Sequence, residues 1–460
     1  MSTPSLSPLA ITVVVTLTVA MPAAQRPAAK PMLIRASRLL DVRAGAYRSA
    51  QGLWIEDGRI RQVGAFDVVR TAAPKDVVVL DLGRAVAMPG LIDCHTHLLD
   101  AMDPAGSSTD DLILTLARES PAKRALRGAA MAREILEAGF TSVRNVGHSG
   151  IDGDVALRDA IRSGWLPGPR IAAAARKIAP HGGQALPLQS AVMQTLVDQE
   201  FLTAVTPADG RRGVLENLRV GADMIKVVAD PDDGARLLDE DTMKAIVDEA
   251  HRHHVRVAVH ATTKPGIQAA IVAGVDSIEH GDGATDEQFQ TMRQNGIVLV
   301  PTLWPREILP VPRSMAVLPD IEAQKDQWIA SERAKLDRAR KAGVTIAFGS
   351  DNWFHDSART RGELTRLVLE ALETFGMTPA DVLRSATVTA ADLLNLSGVS
   401  GTLEEGKAAD LIAVDGDPLA SVRDLAKVTF VMKGGSVIRD DHSSLKSQGA
   451  TVNARPKSHG

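Results

Sequence analysis

The chain has 460 residues and a formal net charge of −4, a length that suits a (β/α) barrel with an appendage better than one small core. Charges of both signs are interspersed and no basic patch stands out, which argues against nucleic acid as a partner. Aromatics make up 3%, Tyr47 is the single tyrosine and Cys94 the single cysteine, so intrachain disulfides and cysteine-rich zinc knots are excluded.

Residues 1–25 read as an export signal. The run "LAITVVVTLTVAMPAAQ" is apolar, ends in small residues and offers a cut near Ala24. It is short for a membrane span, and no Lys or Arg precedes it. A periplasmic or secreted protein is expected; an uncleaved anchor or a cytoplasmic protein is the alternative. Residues 32–88 follow with short β-rich stretches, "PMLIRASRLLDV", "GLWIEDGRIRQVG" and "DVVVLDLGRAVAM", divided by Gly and Asp turns. Similar material returns at 400–440, so the two ends are expected to build one small β-sandwich domain. The tail, 441–460, is polar and reads as disordered.

Between them, residues 89–395 alternate strands and helices. Eight strand candidates appear: "GLIDCHTH", "TSVRNVG", "RIAAAA", "MIKVVA", "VRVAVHA", "SIEHG", "IVLVPTL" and "VTIAFGSDN". They are apolar and β-branched, as strands buried on both faces should be. The expected fold is a TIM-type (β/α)8 barrel, with its chemistry at the C-terminal strand ends. Long loops after strands three and seven would shape a substrate site.

Side chains with metal-binding chemistry fall at those strand ends. Strand one ends in His95 and His97, two apart and so on one face, with Asp93 beneath them. Strand four carries Lys226, strand five His260, strand six His280 and strand eight Asp351. An ammonium is a poor ligand, which leaves two readings of Lys226: a surface or salt-bridged lysine, or a buried, neutral amine that adds CO₂ and becomes a carbamate able to bridge two ions. Cys94 should face the helices as core packing. His251, His253 and His254 end a helix on the far side of the barrel and do not read as a metal site. Substrate contacts are expected from Arg144 and His148 after strand two, His181 after strand three, and Trp304 and Trp353 after strands seven and eight. Arg144 would hold a substrate carboxylate or a neighbouring acid.

With these residues the chain resembles the binuclear branch of the amidohydrolase superfamily, near its imidazolonepropionase-like and Xaa-Pro dipeptidase-like hydrolases, which include enzymes cleaving ochratoxin-type amides. The likeness spans roughly 32–440 and rests on "PGLIDCHTH", "GADMIKV", "VAVHA", "SIEHG", "FGSDN" and "GTLEEGKAADLIAVDGDPL". It implies two divalent ions, Zn²⁺ first with Mn²⁺ or Co²⁺ as alternatives. His95 and His97 would hold one, His260 and His280 the other, and carbamylated Lys226 would bridge them. Asp351 would touch the first ion and act as the catalytic proton shuttle for a hydroxide attacking a C–N amide bond. The family often has Gly-Gly-His in the loop after strand three; here the order is His181-Gly-Gly, which departs from it. The implied substrate is a small N-acyl amino acid, dipeptide or ochratoxin-like amide. Alternatives are a cyclic amide, lactone, carbamate or deamination at the same site, and, from another class, a non-catalytic scaffold, which would be expected to have lost ligands that this chain keeps. A homo-oligomer is left open.

Overall fold

The computed structural model describes residues 31–105, 108–184, 188–231, 236–311 and 319–441. The expected export segment and nearly all of the polar tail lie outside the described residues. Strands β1 (Met32–Asp41), β2 (Ala46–Glu56) and β3 (Arg59–Ala65) form an antiparallel meander, followed by β4 (Val78–Asp81) and β5 (Val86–Pro89). β1 pairs in parallel with β4 along its first half and with β5 along its second.

The barrel begins at β6 (Leu91–Thr96), which pairs in parallel with β7 (Phe140–Asn145), and β7 with β8 (Arg170–Ala173). The third barrel strand is broken. Ala175 takes a left-handed φ of 58°, and the chain resumes as β9 (Lys177–Ala179). The long connection that follows is not bare loop: it holds a helix, Ser190–Glu200, and β10 (Phe201–Thr203), which pairs with β9. β11 (Ile225–Val228), β12 (Val257–Ala261), β13 (Ser277–His280) and β14 (Val298–Val300) continue the parallel order. Helices between the strands carry strong starts; Thr206–Asp209, Thr285–Gln288 and Thr360–Glu363 are reciprocal capping boxes.

The eighth strand expected in "VTIAFGSDN" is not a regular ladder. The segment closes the barrel through single bridges, Leu299 with Ile346 and Thr96 with Asn352, and through backbone bonds from Cys94 N to Phe348 O and from Asp351 N to His95 O. Gly349 explains the irregularity. A Cβ there would lie 2.4 Å from Val300 Cγ1 and 2.7 Å from His95 Cβ, so the backbone passes where no side chain fits.

The chain then returns to the first sheet as β15 (Leu411–Val414), β16 (Val428–Lys433) and β17 (Ser436–Asp440), with β15 antiparallel to β5. Their shared core joins Ile34, Leu53 and Ile60 from one end of the chain to Leu411, Phe430 and Met432 from the other. The architecture is thus a (β/α)8-type barrel beside a mixed β-sheet sandwich. Among the described residues no helix is long and apolar enough to cross a membrane.

Gly349→Ala should overpack the seam beside His95 and lower unfolding free energy by about 1–3 kcal/mol. Urea denaturation checks this; an unchanged midpoint and slope would show that the seam has slack.

Candidate metal centre

Six polar side chains converge at the C-terminal mouth of the barrel: His95, His97, Lys226, His260, His280 and Asp351 line one cavity of about 290 Å³. Backbone conformation aims several of them. His280 and Asp351 sit in the left-handed region, with φ of 69° and 51°, so each side chain turns out of its strand's alternation. Asp93 fixes the seam below. Its Oδ1 accepts from the amides of His95 and Ser350, which ties the first barrel strand to the last. Burial pushes its carboxyl up to about 7 against those bonds.

The ring tautomers follow from their partners. His97 Nδ1 lies 3.1 Å from Gly147 O, and a carbonyl can only accept, so Nδ1 carries the proton. His95 Nδ1 lies 2.7 Å from Glu279 Oε2. Burial alone would raise the Glu279 carboxyl, but Arg144 and His95 overcome this and hold it far below the usual carboxylate range. Glu279 is therefore an acceptor, and His95 Nδ1 is protonated. The bare Nε2 atoms of both rings then face Asp351 Oδ1, at 3.3 Å from His95 and 3.2 Å from His97. Three lone-pair atoms converge with no donor among them, an arrangement that a cation resolves.

The other rings crowd the same volume. Ring centres lie 4.5 Å apart for His260 and His280 and 5.2 Å apart for His95 and His280. His280 Nδ1 lies 2.8 Å from Thr302 Oγ1. His260 Nε2 lies 3.9 Å from Asp230 Oδ1, and Asp230 is clamped by the amides of Thr262 and Thr263. Burial, reinforced by Lys226, pushes His95 down to about 4. Burial also pushes His97 down, and His148, His260 and His280 well below the usual imidazole range. These rings are neutral at pH 7, which ligation requires. Lys226 Nζ is buried and has no hydrogen-bond partner; burial pushes it down to about 7, against the pull of Glu279 and Asp351.

Among the described residues, two groups place potential ligand atoms within 4.8 Å of one another: His95, His97 and Asp351, and His97, Asp100 and His148, with His97 common to both. Asp100 is fully buried, neither of its oxygens accepts a hydrogen bond, and burial pushes it up to about 8. The donor set of imidazoles and carboxylates fits divalent ions such as zinc.

Three of the residues expected to contact substrate stand apart from the cavity. Arg144 does not reach the cavity. It is 2% exposed, and its guanidinium is consumed by Cys94 O, Ser277 Oγ and Glu279 Oε1. It holds a neighbouring acid, the second of the two roles open to it. His181 is exposed on its loop, where its carbonyl accepts from Arg236, and it does not line the cavity. Trp304 stands behind Trp353, with ring centres 6.0 Å apart, and its Nε1 donates to Ser350 O; only Trp353 lines the cavity. His148 does line it, and Cys94 packs towards Ala390 and Leu393. His251 and His253 pair with Asp276 and Glu249.

The sequence reading also passed over Glu279, Lys177, Gln184 and Phe201, the last three of which line the cavity. Glu279 did leave a signal: in "SIEHG" it shares a strand face with Ser277, two polar groups on one face of a strand whose residues are all buried or nearly so.

The amidohydrolase family pattern matches residues 86–438. The chain belongs to the amidohydrolase family. It is 32% identical to the ochratoxinase of Aspergillus niger over 379 residues, covering 77% of this chain and 76% of that protein. The crystal structure of A. niger ochratoxinase superposes with a TM-score of 0.77 at 28% identity, over 91% of this chain and 97% of that one. A Xaa-Pro dipeptidase crystallised with bound methionine gives a TM-score of 0.76 at 28% identity, over 89% of this chain and all of that one. As an amidohydrolase with a binuclear set of ligands, the protein is a metal-dependent hydrolase of C–N bonds.

Glu279→Gln should strand the Arg144 charge and free the His95 ring. Breaking one side of a buried pair costs about 3–5 kcal/mol. Urea denaturation should show a loss of that order, and elemental analysis a lower metal content. Wild-type stability with full metal would remove Glu279 from the account.

Proposed function

We propose that the protein hydrolyses the amide bond of a small N-acyl amino acid, dipeptide or ochratoxin-like amide, with zinc ions and a carbamylated Lys226. The observation that carries the reading is the donorless meeting of His95 Nε2, His97 Nε2 and Asp351 Oδ1 at the floor of a small cavity. In this reading His95, His97 and Asp351 would hold one ion, and His260 and His280 would hold the other. Lys226 supports the carbamate because its amine is buried, lacks a hydrogen-bond partner and is pushed towards neutrality. When bound, two divalent ions supply Lewis acidity, acidifying water towards neutral pH and polarising a carbonyl.

The remaining work falls to side chains. Asp351 Oδ2, the oxygen not pinched between His95 and His97, takes a proton from the attacking water and passes it to the leaving nitrogen. Met102, Leu112, Phe201 and Trp353 give the cavity an apolar wall that suits an aromatic or aliphatic substrate side chain. The likeness to an ochratoxinase and to a Xaa-Pro dipeptidase supports amides of amino acids as the substrate class. The N-terminal apolar segment supports action outside the cytoplasm.

Asp351→Asn keeps an acceptor oxygen but not the basicity. Assayed on a panel of N-acyl amino acids, with metal content followed by elemental analysis, it should retain metal while kcat falls by at least about 100-fold. Most of the kcat surviving with metal still bound would move the proton shuttle to another group.

A further inference from the structure

Thr302, just beyond β14, holds a conformation that its side chain resists. Its φ is 50°, in the left-handed region, where a β-branched residue is an outlier. Its neighbours keep it there. Val300 and Leu303 are fully buried in the core on either side of it, and Trp304, two residues on, is tied through Nε1 to Ser350 O. Strain of this kind persists where the surroundings enforce it, and it gathers where a side chain has a task.

The hydroxyl so delivered meets a ligand of the metal centre. Thr302 Oγ1 lies 2.8 Å from His280 Nδ1, and among the described residues it is the one hydrogen-bond partner of that ring. Thr302 is 7% exposed and does not line the cavity, so it stands behind the ring and away from any substrate. The backbone of His280 is locked as well. The left-handed φ of His280, 69°, is followed by one of 70° at Gly281, where a Cβ would come 2.8 Å from Leu299 Cδ1. The Gly281 amide donates to Ala261 O. The sixth and seventh barrel strands thus leave their regular path at the same level, and the two departures bring hydroxyl and imidazole together.

The tautomer follows from the company of Nδ1. Asp351 Oδ2 lies 3.9 Å from it, and a carboxylate there favours a proton on that nitrogen. The Thr302 oxygen accepts the hydrogen bond, which leaves Nε2 bare. His260, the other ring of the pair, has no such tie: its Nε2 lies 3.9 Å from Asp230 Oδ1, beyond hydrogen-bond reach.

We propose that Thr302 is a positioning residue for the second ion. Its hydroxyl fixes the His280 ring with the proton on Nδ1 and the lone pair of Nε2 free for ligation, and so sets the affinity for that ion separately from the first. The inference rests on the two-ion reading above. Removing a group that orients a ligating histidine typically costs about 10–100-fold in metal affinity.

The test is a zinc titration. Wild type, Thr302→Val and Thr302→Ser are stripped with a chelator and equilibrated against buffered free zinc with bicarbonate, and zinc per chain is read by elemental analysis. Thr302→Val keeps the shape and the β-branch but not the hydroxyl; Thr302→Ser keeps the hydroxyl. Wild type should take up two ions. The Val variant should take up the first as wild type does and need about 10–100-fold more free zinc for the second. The Ser variant should return the second to within about 3-fold of wild type. Thr302→Gly, which relaxes the left-handed backbone and also lacks the hydroxyl, serves if the Val variant does not fold and should show the same shift. An unshifted second ion in the Val variant would overturn the inference. So would both ions weakening alike, as general loosening of the mouth would cause, or a Ser variant that behaves as Val does. A wild type that takes up one ion would contradict the two-ion reading itself and the assignment of Thr302 with it, whereas two ions in wild type with no shift in Val would overturn Thr302 alone.

Discussion

Everything at the barrel mouth depends on one electrostatic constraint: His95 Nε2, His97 Nε2 and Asp351 Oδ1 meet at 3.2–3.3 Å with no proton to share. The surrounding structure keeps the proton away. Glu279 and Gly147 O take up the Nδ1 hydrogens, so both rings present bare nitrogens to the cavity. Burial keeps the rings neutral. Such a cluster is unfavourable until a cation enters it, and folding effort is therefore spent on a site whose return is metal affinity.

The acids and bases around the site are arranged in depth. Arg144 and Ser277 fix Glu279, Glu279 fixes His95, and His95 faces the cavity. Each step relies on the one below it, and all lie in the interior of the barrel, where a charge without a partner would be expensive. Lys226 and Lys177 are the cationic groups closer to the ligand volume. Lys226 is pushed towards the neutral amine, and Lys177 Nζ donates to His148 Nε2 and Gln184 Oε1.

Much of this was legible in the sequence, and the reasons are specific. His95 and His97 stand two apart at the end of an apolar run, and strand alternation puts both on one face. His260, His280 and Asp351 also stand at the ends of strand candidates, where barrel enzymes gather their ligands. The barrel and the sheet built from both chain ends followed from apolar alternation and turn residues. The depth of a side chain was not legible. Arg144 sits near a strand end and counts as a rim residue, but its guanidinium folds back to Cys94 O and Glu279. Lys177 was overlooked because its strand is broken at Ala175, and a break forced by a left-handed residue other than glycine leaves no mark in the pattern. The eighth strand was read as regular because its residues are apolar; the close approach at Gly349 is a tertiary effect.

The central claim is that this mouth seats two ions, joined through a modified lysine. Diffraction from crystals grown with zinc and bicarbonate, recorded on both sides of the zinc absorption edge, tests it most directly. The account predicts two anomalous peaks, one bounded by His95, His97 and Asp351 and the other by His260 and His280, with electron density extending beyond Lys226 Nζ to reach both. A single peak, or peaks elsewhere with Lys226 ending as a plain amine, would contradict it.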